Sequence, residues 1–448
     1  MKDRGPARRA KPARPPEVPG LVSRREAAQL VTAVLSLKAT LDDAPTTRPA
    51  DDDHGLSRAI AVTTFRRFGT IRAALEPRLT KGVPSDPSVV ALLATGVAQI
   101  LFLDVPDHAA VDLAVRLATE GSRTRHLAGM VNAVLRRVAR EREEILAESP
   151  PILDLPNWLA ERWDRTYGAA RVDAMAAAHR VGAPLDLTCR SDPAGWAERL
   201  GGTLLATGSV RVTDRTPVHE LAGYHEGAWW VQDAAAALPA RLLATQAGER
   251  VLDLCAAPGG KTAQLAASGA RVTALDRSAP RIERLRTNLA RLSLEAEIVC
   301  GDGLSYKARP YDAVLLDAPC TATGTIRRHP DVGWIKGPTD LAALVSLQAG
   351  LLDRAAGLVR PGGRLVYCVC SLEPEEGENQ VDAFLGRHPG FERAGLVADD
   401  VGLDAAFVTE AGDLRTAPDF WPPPADDPEA RGGMDGFFAA TLLRKPRA

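Results

Sequence analysis

The spacing of apolar residues changes twice along this chain. Residues 21–148 keep a helical spacing, and Ser23 is placed to cap the first helix at its N-terminus. Further helices are predicted to begin near Leu56, Ser88, Ala109 and Arg125, with a polar loop at residues 40–55. The first region is therefore predicted to be an all-helical domain, residues 21–148.

Prolines mark the end of this helical region, at Pro150, Pro151 and Pro156. The following residues mix two helical segments with short segments in which apolar and polar residues alternate, as they do in half-buried strands. These alternating segments are residues 185–190, 209–213 and 228–232. We predict that residues 149–240 form a small α+β domain.

Short apolar strands alternate with helices in residues 241–448. The predicted strands are residues 251–254, 271–275, 297–299, 311–316, 363–369 and 436–443, and the helices begin near Thr262, Pro280 and Asp340. This alternation predicts a doubly wound, Rossmann-like α/β domain. Ligands of such sheets bind at the carboxyl ends of the strands, so site residues should directly follow strands.

Composition and charge narrow the class of protein only a little. The 448 residues carry a formal net charge of −2, so any nucleic-acid surface must be a local patch. The basic, proline-rich residues 1–20 predict a disordered tail, which either contacts RNA or is simply solvated. We find no apolar run long enough to span a bilayer and no secretory signal.

The six cysteines include no Cys-x-x-Cys pair and no histidine at the spacing of a zinc site. We therefore predict free thiols in a reducing cytoplasm and no metal. Aromatic residues make up 5% of the chain, which argues against a surface built mainly on base stacking.

A strand, a turn of small residues and a helix start follow one another at residues 251–262. Pro258, Gly259 and Gly260 let the backbone approach a ligand closely. Cys255 stands where a phosphate-binding P-loop needs its first glycine, and the Gly-x-Gly-x-x-Gly fingerprint is absent. The turn therefore predicts a nucleotide-like ligand without a phosphate cradle.

Acidic residues follow the next two predicted strands. Asp276 is placed to accept hydrogen bonds from ribose hydroxyls, although capping the helix near Pro280 explains it nearly as well. Asp302 is placed to bond an adenine amino group, or it is a turn residue. Three such features at successive strand ends favour a nucleotide-like cofactor over coincidence.

Two cysteine-containing loops follow two further strands. They are Asp317-Ala318-Pro319-Cys320 and Cys368-Val369-Cys370-Ser371. If both strands belong to one parallel sheet, Cys320 and Cys370 face the same crevice. Burial would explain either cysteine alone, whereas the pair of loops favours covalent chemistry.

Three of these segments together resemble the RNA cytosine-C5 methyltransferases, namely residues 254–262, 317–320 and 367–371. Residues 324–331 with Trp334 resemble the bacterial 16S ribosomal RNA enzymes of the Sun/Fmu (RsmB-like) type. Such proteins carry a helical RNA-binding domain similar to the antitermination factor NusB, which residues 131–136 resemble. The resemblance covers the chain except the tail, residues 1–20.

The resemblance implies S-adenosylmethionine as the cofactor. The residues implied in its binding are Cys255, Ala256, Ala257, Pro258, Gly259, Gly260, Lys261, Asp276, Asp302 and Asp317. The resemblance also implies that Lys261 orients Asp317 or the target base. Without the resemblance, Lys261 would be interpreted as a solvated residue in the first turn of a helix.

The chemistry of the reaction explains the two thiols. C5 of cytosine is a poor nucleophile, so a thiolate must first add to C6. The resemblance implies that Cys370 is this nucleophile, that Cys320 assists release, and that Asp317 bonds the N3/N4 edge of the base. Cys368 is the rival nucleophile, and we interpret it as a buried strand residue. DNA cytosine-C5 methyltransferases lack the second cysteine loop, so the presence of both loops favours RNA.

Three positions depart from the family pattern. Val369 stands where Thr commonly precedes the nucleophile, and Thr321 and Ala322 stand where Ser and Gly are common. The change at Val369 affects the local support of Cys370 but keeps the thiol. The remaining cysteines are predicted to pack, and they are Cys189, Cys255 and Cys300.

Basic and aromatic residues follow the Cys320 loop and could bind RNA or form a charged surface turn. They are Arg327, Arg328, His329, Trp334 and Lys336. A second cluster has equal support as an RNA contact and as a solvated helix face, and comprises Arg123, Arg125, Arg136, Arg137 and Arg140. The acids after Cys370 predict a helix start near Pro374 rather than metal ligands, and they are Glu373, Glu375, Glu376 and Glu378.

The sequence thus predicts a cytoplasmic, monomeric RNA cytosine-C5 methyltransferase that uses S-adenosylmethionine, with neither metal nor membrane as a partner. Its predicted substrate is 16S ribosomal RNA, as naked RNA or within a small-subunit particle. The alternatives are a tRNA substrate and a non-catalytic RNA-binding or antitermination-type module. The intact Asp317, Cys320 and Cys370 argue against the non-catalytic alternative.

Overall fold

The computed structural model of this chain describes residues 18–37, 39–44, 52–213, 216–396, 403–421 and 431–446. Most of the predicted tail, residues 1–20, and much of the predicted loop, residues 40–55, lie outside the described residues. Contacts divide the chain into two compact units, residues 1–150 and 151–448. The second unit therefore contains both the predicted α+β region and the predicted Rossmann-like region.

Helices make up the described part of the first unit, as the sequence predicts. They are α1 (Leu21–Leu37), α2 (Asp52–Arg66), α3 (Phe68–Leu75), α4 (Pro87–Phe102), α5 (Asp107–Glu120), α6 (Ala128–Arg140) and α7 (Arg142–Ala147). Helix α4 is buried over 12 of its 16 residues and contacts α1, α2, α5 and α6. A helix that is apolar on nearly all sides must lie at the centre of its bundle, which explains this position.

Helix starts differ slightly from the predictions. Helix α1 begins at Leu21, so Ser23 lies fully buried inside the first turn, and the prediction that Ser23 caps this helix is wrong. Helix α4, by contrast, is capped by an acidic residue. The Asp86 carboxylate accepts a hydrogen bond from the backbone N of Ser88 at 2.8 Å. A short 3-10 turn, Arg125–Leu127, precedes α6.

The part of the second unit that precedes β5 contains four helices and a small antiparallel sheet. The helices are α8 (Asn157–Tyr167), α9 (Ala169–Val181), α10 (Pro193–Arg199) and α11 (Leu238–Leu242). Its strands are β1 (Leu185–Cys189), β2 (Thr203–Leu204), β3 (Val210–Val212) and β4 (Trp229–Val231), in the order β2-β3-β1-β4. The three longest strands correspond to the three alternating segments of the sequence.

A larger sheet follows, with the strand order β10-β12-β9-β8-β5-β6-β7 and β11 paired to β12. The strands are β5 (Arg250–Leu254), β6 (Arg271–Asp276), β7 (Glu297–Cys300), β8 (Tyr311–Asp317), β9 (Val359–Val369), β10 (Phe391–Ala394), β11 (Leu414–Arg415) and β12 (Phe438–Arg444). Strands β5 to β9 are parallel, and β12 runs antiparallel to both β9 and β10. The sequence did not predict β10 and β11.

Helices cover both faces of the larger sheet. They are α12 (Gly260–Ala267), α13 (Ala279–Arg291), α14 (Val332–Ile335), α15 (Pro338–Leu358) and α16 (Glu378–Arg387). Val314 packs with residues of α15 and α16, whereas its neighbour Leu315 packs with residues of α11 and α12. Because side chains alternate along a strand, β8 is buried on both faces, as in doubly wound sheets.

Helix α15 is, by length and composition, apolar enough to cross a membrane. The sequence-based expectation that no segment is long and apolar enough to span a bilayer is therefore wrong as far as length and composition are concerned. In the structure, Leu351, Leu352 and Ala355 of this helix pack into the core of the larger sheet.

Candidate active site

A cleft of about 490 Å³ opens where β5, β8 and β9 end. The loop after β5 lines it with residues 256–261, and Asp317 and Cys370 line it from the ends of β8 and β9. Residues outside the predicted motifs also line it, including Gln232, Asp233, Asn288, Arg291, Asp435 and Phe437. One cleft therefore joins the predicted cofactor loop to one of the two predicted reactive thiols.

The loop after β5 is shaped by its backbone. Gly259 has a φ of +106°, and a Cβ atom there would lie 3.0 Å from Cγ of Leu285, so glycine fits where other residues would be strained. The backbone N of Ala257 donates to the Asp276 carboxylate at 3.1 Å. Helix α12 begins directly afterwards, at Gly260. The loop backbone is thus fixed along the cleft wall.

The two acids at the next strand ends lie outside the cleft lining. Asp276 is buried and also accepts from the backbone N of Ser278 at 2.9 Å, and Ser278, not Asp276, is the N-cap residue of α13. The capping interpretation of Asp276 is therefore wrong. Asp302 is exposed and accepts from the backbone N of Leu304 at 3.0 Å, which fits the turn interpretation.

An ion pair between the buried Lys261 and the partly exposed Asp317 joins the cofactor loop to β8. The Lys261 ammonium lies 2.8 Å from Oδ2 of Asp317, and Oδ1 of Asp317 lies 3.5 Å from Sγ of Cys368. Burial alone would lower the pKa of Lys261, but Asp317 raises it above its usual range. Lys261 is 8% exposed, so its interpretation as a solvated residue is wrong.

The two predicted reactive thiols meet at the strand ends. Sγ of Cys320 lies 3.4 Å from Sγ of Cys370. The hydrogen bond between these thiols and burial together raise the pKa of Cys320. Gly324 allows this arrangement, because its backbone N donates to the carbonyl oxygen of Cys370 at 3.1 Å and a Cβ there would collide with Gly436.

The other cysteines have different environments. Cys368 is fully buried, and burial raises its pKa, which agrees with a packing role and disfavours it as the nucleophile. Burial also raises the pKa of Cys255, and that of Cys189 to about 11. Cys300 is exposed at the end of β7, so the prediction that it packs is wrong.

Two arginines predicted to bind RNA are instead held by carboxylates. Nη2 of Arg327 lies 3.3 Å from Asp233 and 3.2 Å from Asp435. Arg328 pairs with the same two acids, at 2.5 Å and 3.1 Å. Burial alone would raise the pKa of Asp233, but Arg328 and Arg327 lower it to about 2. A fully buried guanidinium offers no surface to a phosphate, which contradicts the prediction for Arg327.

The remaining residues of that basic stretch are partly accessible. Arg328 and His329 both line the cleft. His329, Trp334 and Lys336 are half-buried. The structure therefore brings Arg328 and His329 to Cys370 but places Trp334 and Lys336 outside the cleft lining.

The acids after Cys370 hold the polypeptide in place. Helix α16 begins at Glu378, four residues later than predicted. Glu373 is buried and accepts hydrogen bonds from Nε of Arg162 at 2.6 Å and Nε1 of Trp163 at 2.8 Å, so α8 supports this loop. Among the described residues, no group of three or more His, Cys, Asp or Glu side chains is placed to hold a metal ion.

Sequence reasoning missed Asp233 and Asp435, and it interpreted Glu376 only as part of an acidic helix start. Asp233 and Asp435 each stand in or next to a stretch of mostly apolar or small residues, which is the available signal for a buried carboxylate, whereas Glu376 stands among other acids. Their partners lie far away in sequence, as with Asp435 and Arg328, which are 107 positions apart. Their roles therefore emerge only from the fold.

The doubly wound sheet and the cleft at its carboxyl edge define a methyltransferase with a Rossmann-like domain. A family model described as "16S rRNA methyltransferase RsmB/F" matches residues 240–443, and the NusB family model matches residues 22–140. The ribosomal RNA small subunit methyltransferase B of Vibrio cholerae is 35% identical over 88% of this chain and 90% of its own length. The Pseudomonas putida protein of that name is 36% identical over 94% and 98%. The chain belongs to this family of ribosomal RNA methyltransferases, which use S-adenosylmethionine.

Solved structures agree with this assignment. The crystal structure of PH0851 superposes with a TM-score of 0.74 at 25% identity and covers 95% of this chain and 99% of its own. A methyltransferase homolog from Pyrococcus horikoshii reaches 0.54 at 26% identity over 66% of this chain and 99% of its own. NSun6 from the same organism, solved with the S-adenosylmethionine analogue SFG, shares the fold at a TM-score of 0.51 and 19% identity, over 65% of this chain and 99% of its own. The predicted family, fold class and cofactor are confirmed.

Proposed function

We propose that this protein methylates C5 of a cytosine in 16S ribosomal RNA through a covalent bond between Cys370 and C6 of the base. The observation that carries the proposal is the 3.4 Å separation of the Cys320 and Cys370 sulfur atoms beside the Lys261–Asp317 ion pair. Cys370 and the paired carboxylate of Asp317 line the cleft and Cys320 lies next to Cys370, so the groups that the reaction needs lie together.

In the proposed reaction, the Cys370 thiolate adds to C6 while Asp317 bonds the N3/N4 edge of the cytosine. C5 would then have enamine character and could accept the electrophilic methyl group that the cofactor would supply. The Cys320 thiolate would take the C5 proton as the bond between Cys370 and C6 breaks, which restores the C5–C6 double bond of the ring and returns the Cys370 thiolate. The products are 5-methylcytosine, S-adenosylhomocysteine and the free thiol.

S-adenosylmethionine fits the loop after β5. Residues 256–261 line the cleft, and the positive φ of Gly259 lets the loop backbone turn along the cleft wall. We propose that Cys255 to Lys261 and Asp317 contact the cofactor, with Asp276 and Asp302 contributing from the next two strand ends. Bound there, the cofactor supplies an electrophilic methyl group.

Two sets of basic residues, each considered within its own unit, are candidates for RNA contacts. Arg328 and His329 line the cleft, and exposed arginines lie on or near α6 in the NusB-like unit, including Arg136, Arg137 and Arg140. Exposed guanidiniums attract phosphates, so Arg136, Arg137 and Arg140 are proposed RNA contacts. Arg328 is held by Asp233 and Asp435, so its proposed part is to shape the cleft beside His329. We propose that the protein acts in the cytoplasm, because its relatives are named as ribosomal RNA enzymes and come from bacteria. That it acts as a monomer stays a prediction from the sequence.

Bisulfite sequencing tests the proposal directly. Ribosomal RNA from a strain that lacks this protein should lose one 5-methylcytosine signal in 16S RNA, and the purified enzyme should restore it. Comparing naked 16S RNA with small-subunit particles identifies the true substrate. Loss of a tRNA signal with intact 16S signals would overturn the substrate assignment.

A further inference from the structure

Glu376 is a fully buried carboxylate in the turn before α16, and it faces both thiol loops. Its Oε1 accepts hydrogen bonds from the backbone N of Thr321 at 2.9 Å and from Nε2 of Gln348 at 3.0 Å. Its Oε2 accepts one from the Thr321 hydroxyl at 2.5 Å. The Glu376 carboxylate therefore accepts its hydrogen bonds from groups inside the protein.

Most of these bonds hold the polypeptide around Cys320. Thr321 directly follows Cys320 and provides two of the donors. Gln348, on α15, also donates to the carbonyl oxygen of Pro319 at 2.9 Å. Glu376 thus fixes the residue after Cys320 directly and the residue before it through Gln348.

The loop that carries Cys370 has additional anchors. Nη1 of Arg415 donates to the carbonyl oxygen of Ser371 at 2.6 Å, and the Tyr167 hydroxyl donates to that of Leu372 at 2.5 Å. These bonds do not involve the Glu376 side chain. Removal of its carboxylate should therefore release the Cys320 loop and leave the Cys370 loop largely in place.

We propose that Glu376 is a positioning residue that holds the Cys320 thiol beside Cys370, so that release of the methylated base depends on it. This inference rests on the proposed covalent reaction. Burial keeps water away from the bonds of this carboxylate, and leaving its donors unpaired is unfavourable. Glu376 acts through Thr321 and Gln348 and does not itself touch the substrate.

The test compares Glu376→Ala with Cys320→Ala in the full-length protein with 16S RNA and S-adenosylmethionine. Both variants should accumulate a denaturant-resistant enzyme–RNA adduct and release product at least about tenfold more slowly, since loss of a buried bond to a charged group changes an equilibrium by that order. Adduct formation and cofactor binding should change little. The double variant should resemble Cys320→Ala, because both substitutions affect one step.

Two further variants separate positioning from general destabilisation. Glu376→Gln should restore release, because the amide oxygen can accept both N–H donors while its nitrogen donates to the Thr321 hydroxyl. Glu375→Ala removes the neighbouring acid, which pairs with Arg162, and should leave the adduct level unchanged. If Glu376→Ala does not fold, Thr321→Val and Gln348→Leu each remove part of the same network and should slow release.

Three results would overturn the inference. The first is a folded, cofactor-binding Glu376→Ala variant that releases product at the normal rate. The second is an equal loss of adduct formation and release, without rescue by Gln. The third is Cys320→Ala trapping no adduct, which would refute the release role of Cys320 and, with it, the dependence on Glu376. If Cys320→Ala traps adduct and Glu376→Ala does not, the proposed reaction stands and only this inference fails.

Discussion

The sulfur atoms of Cys320 and Cys370 lie 3.4 Å apart, although 50 positions separate the two residues along the chain. Strands β8 and β9 are parallel neighbours, with Asp317 paired to Cys368. Each thiol lies two or three residues beyond that pair, so the strand register brings them together. The short distance between the two sulfur atoms is therefore set by the register in which β8 pairs with β9.

The first prediction concerns the proposed nucleophile. Cys370→Ala should lower methyl transfer by roughly 10⁴-fold or more, since no other group would activate the base. Cofactor affinity, measured by calorimetry, should stay within about twofold. Cys189→Ala removes a thiol outside the cleft lining and should retain activity. Substantial turnover by Cys370→Ala would refute the assignment.

The second prediction concerns Cys320. Cys320→Ala should trap Cys370 on the RNA, because addition to C6 remains possible while elimination is slowed. The adduct should appear as a shifted band on a denaturing gel and should be absent from the Cys320→Ala/Cys370→Ala double variant. An adduct that persists in the double variant would show that another residue is the nucleophile.

The third prediction concerns the buried cluster of Arg327, Arg328, Asp233 and Asp435. Asp435→Asn should reduce the free energy of unfolding by about 3–5 kcal/mol, because it removes one carboxylate from guanidiniums that stay buried. Urea denaturation should show this as a lower midpoint. Asp112→Asn, which breaks the exposed pair with Arg116, should change stability by less than about 1 kcal/mol. Equal effects would contradict the structural role of the cluster.

The fourth prediction concerns Asp253, which is buried on β5 and bonded to the Thr262 hydroxyl at 2.6 Å. Burial raises its pKa from 3.8 to about 7. The folded state thus binds a proton that the unfolded state has lost between these values, so its contribution to stability is full below pH 3.8 and falls as pH rises to about 7.

Asp253→Asn removes this titration. Relative to the natural protein, the variant should gain roughly 1–4 kcal/mol between pH 4 and pH 8, and no further change is expected above pH 8. Urea midpoints measured across this range give the comparison. A pH dependence identical to that of the natural protein would show that Asp253 stays ionised when folded.

The sequence by itself determined the class of fold and pointed to the groups that are proposed to react. The helical spacing of residues 21–148 and the strand–helix alternation after residue 241 depend on local periodicity, so both could be read without coordinates. The cofactor loop and the two cysteine loops directly follow strands, and parallel strands present such loops at one edge.

Only the tertiary structure decided which charged residues are accessible to RNA and which are held in ion pairs inside the protein. Arg327 looked like an RNA contact in the sequence, but Asp233 and Asp435 bury and neutralise it. The sequence also allowed Lys261 to be a solvated residue, whereas in the fold its ammonium lies 2.8 Å from Oδ2 of Asp317. Partners of this kind lie dozens of positions apart, and the pairing of buried charges depends on which strands become neighbours. For that reason the sequence alone pointed to the thiols proposed to react and to the loop proposed to hold the cofactor, and only the three-dimensional packing decided what supports them.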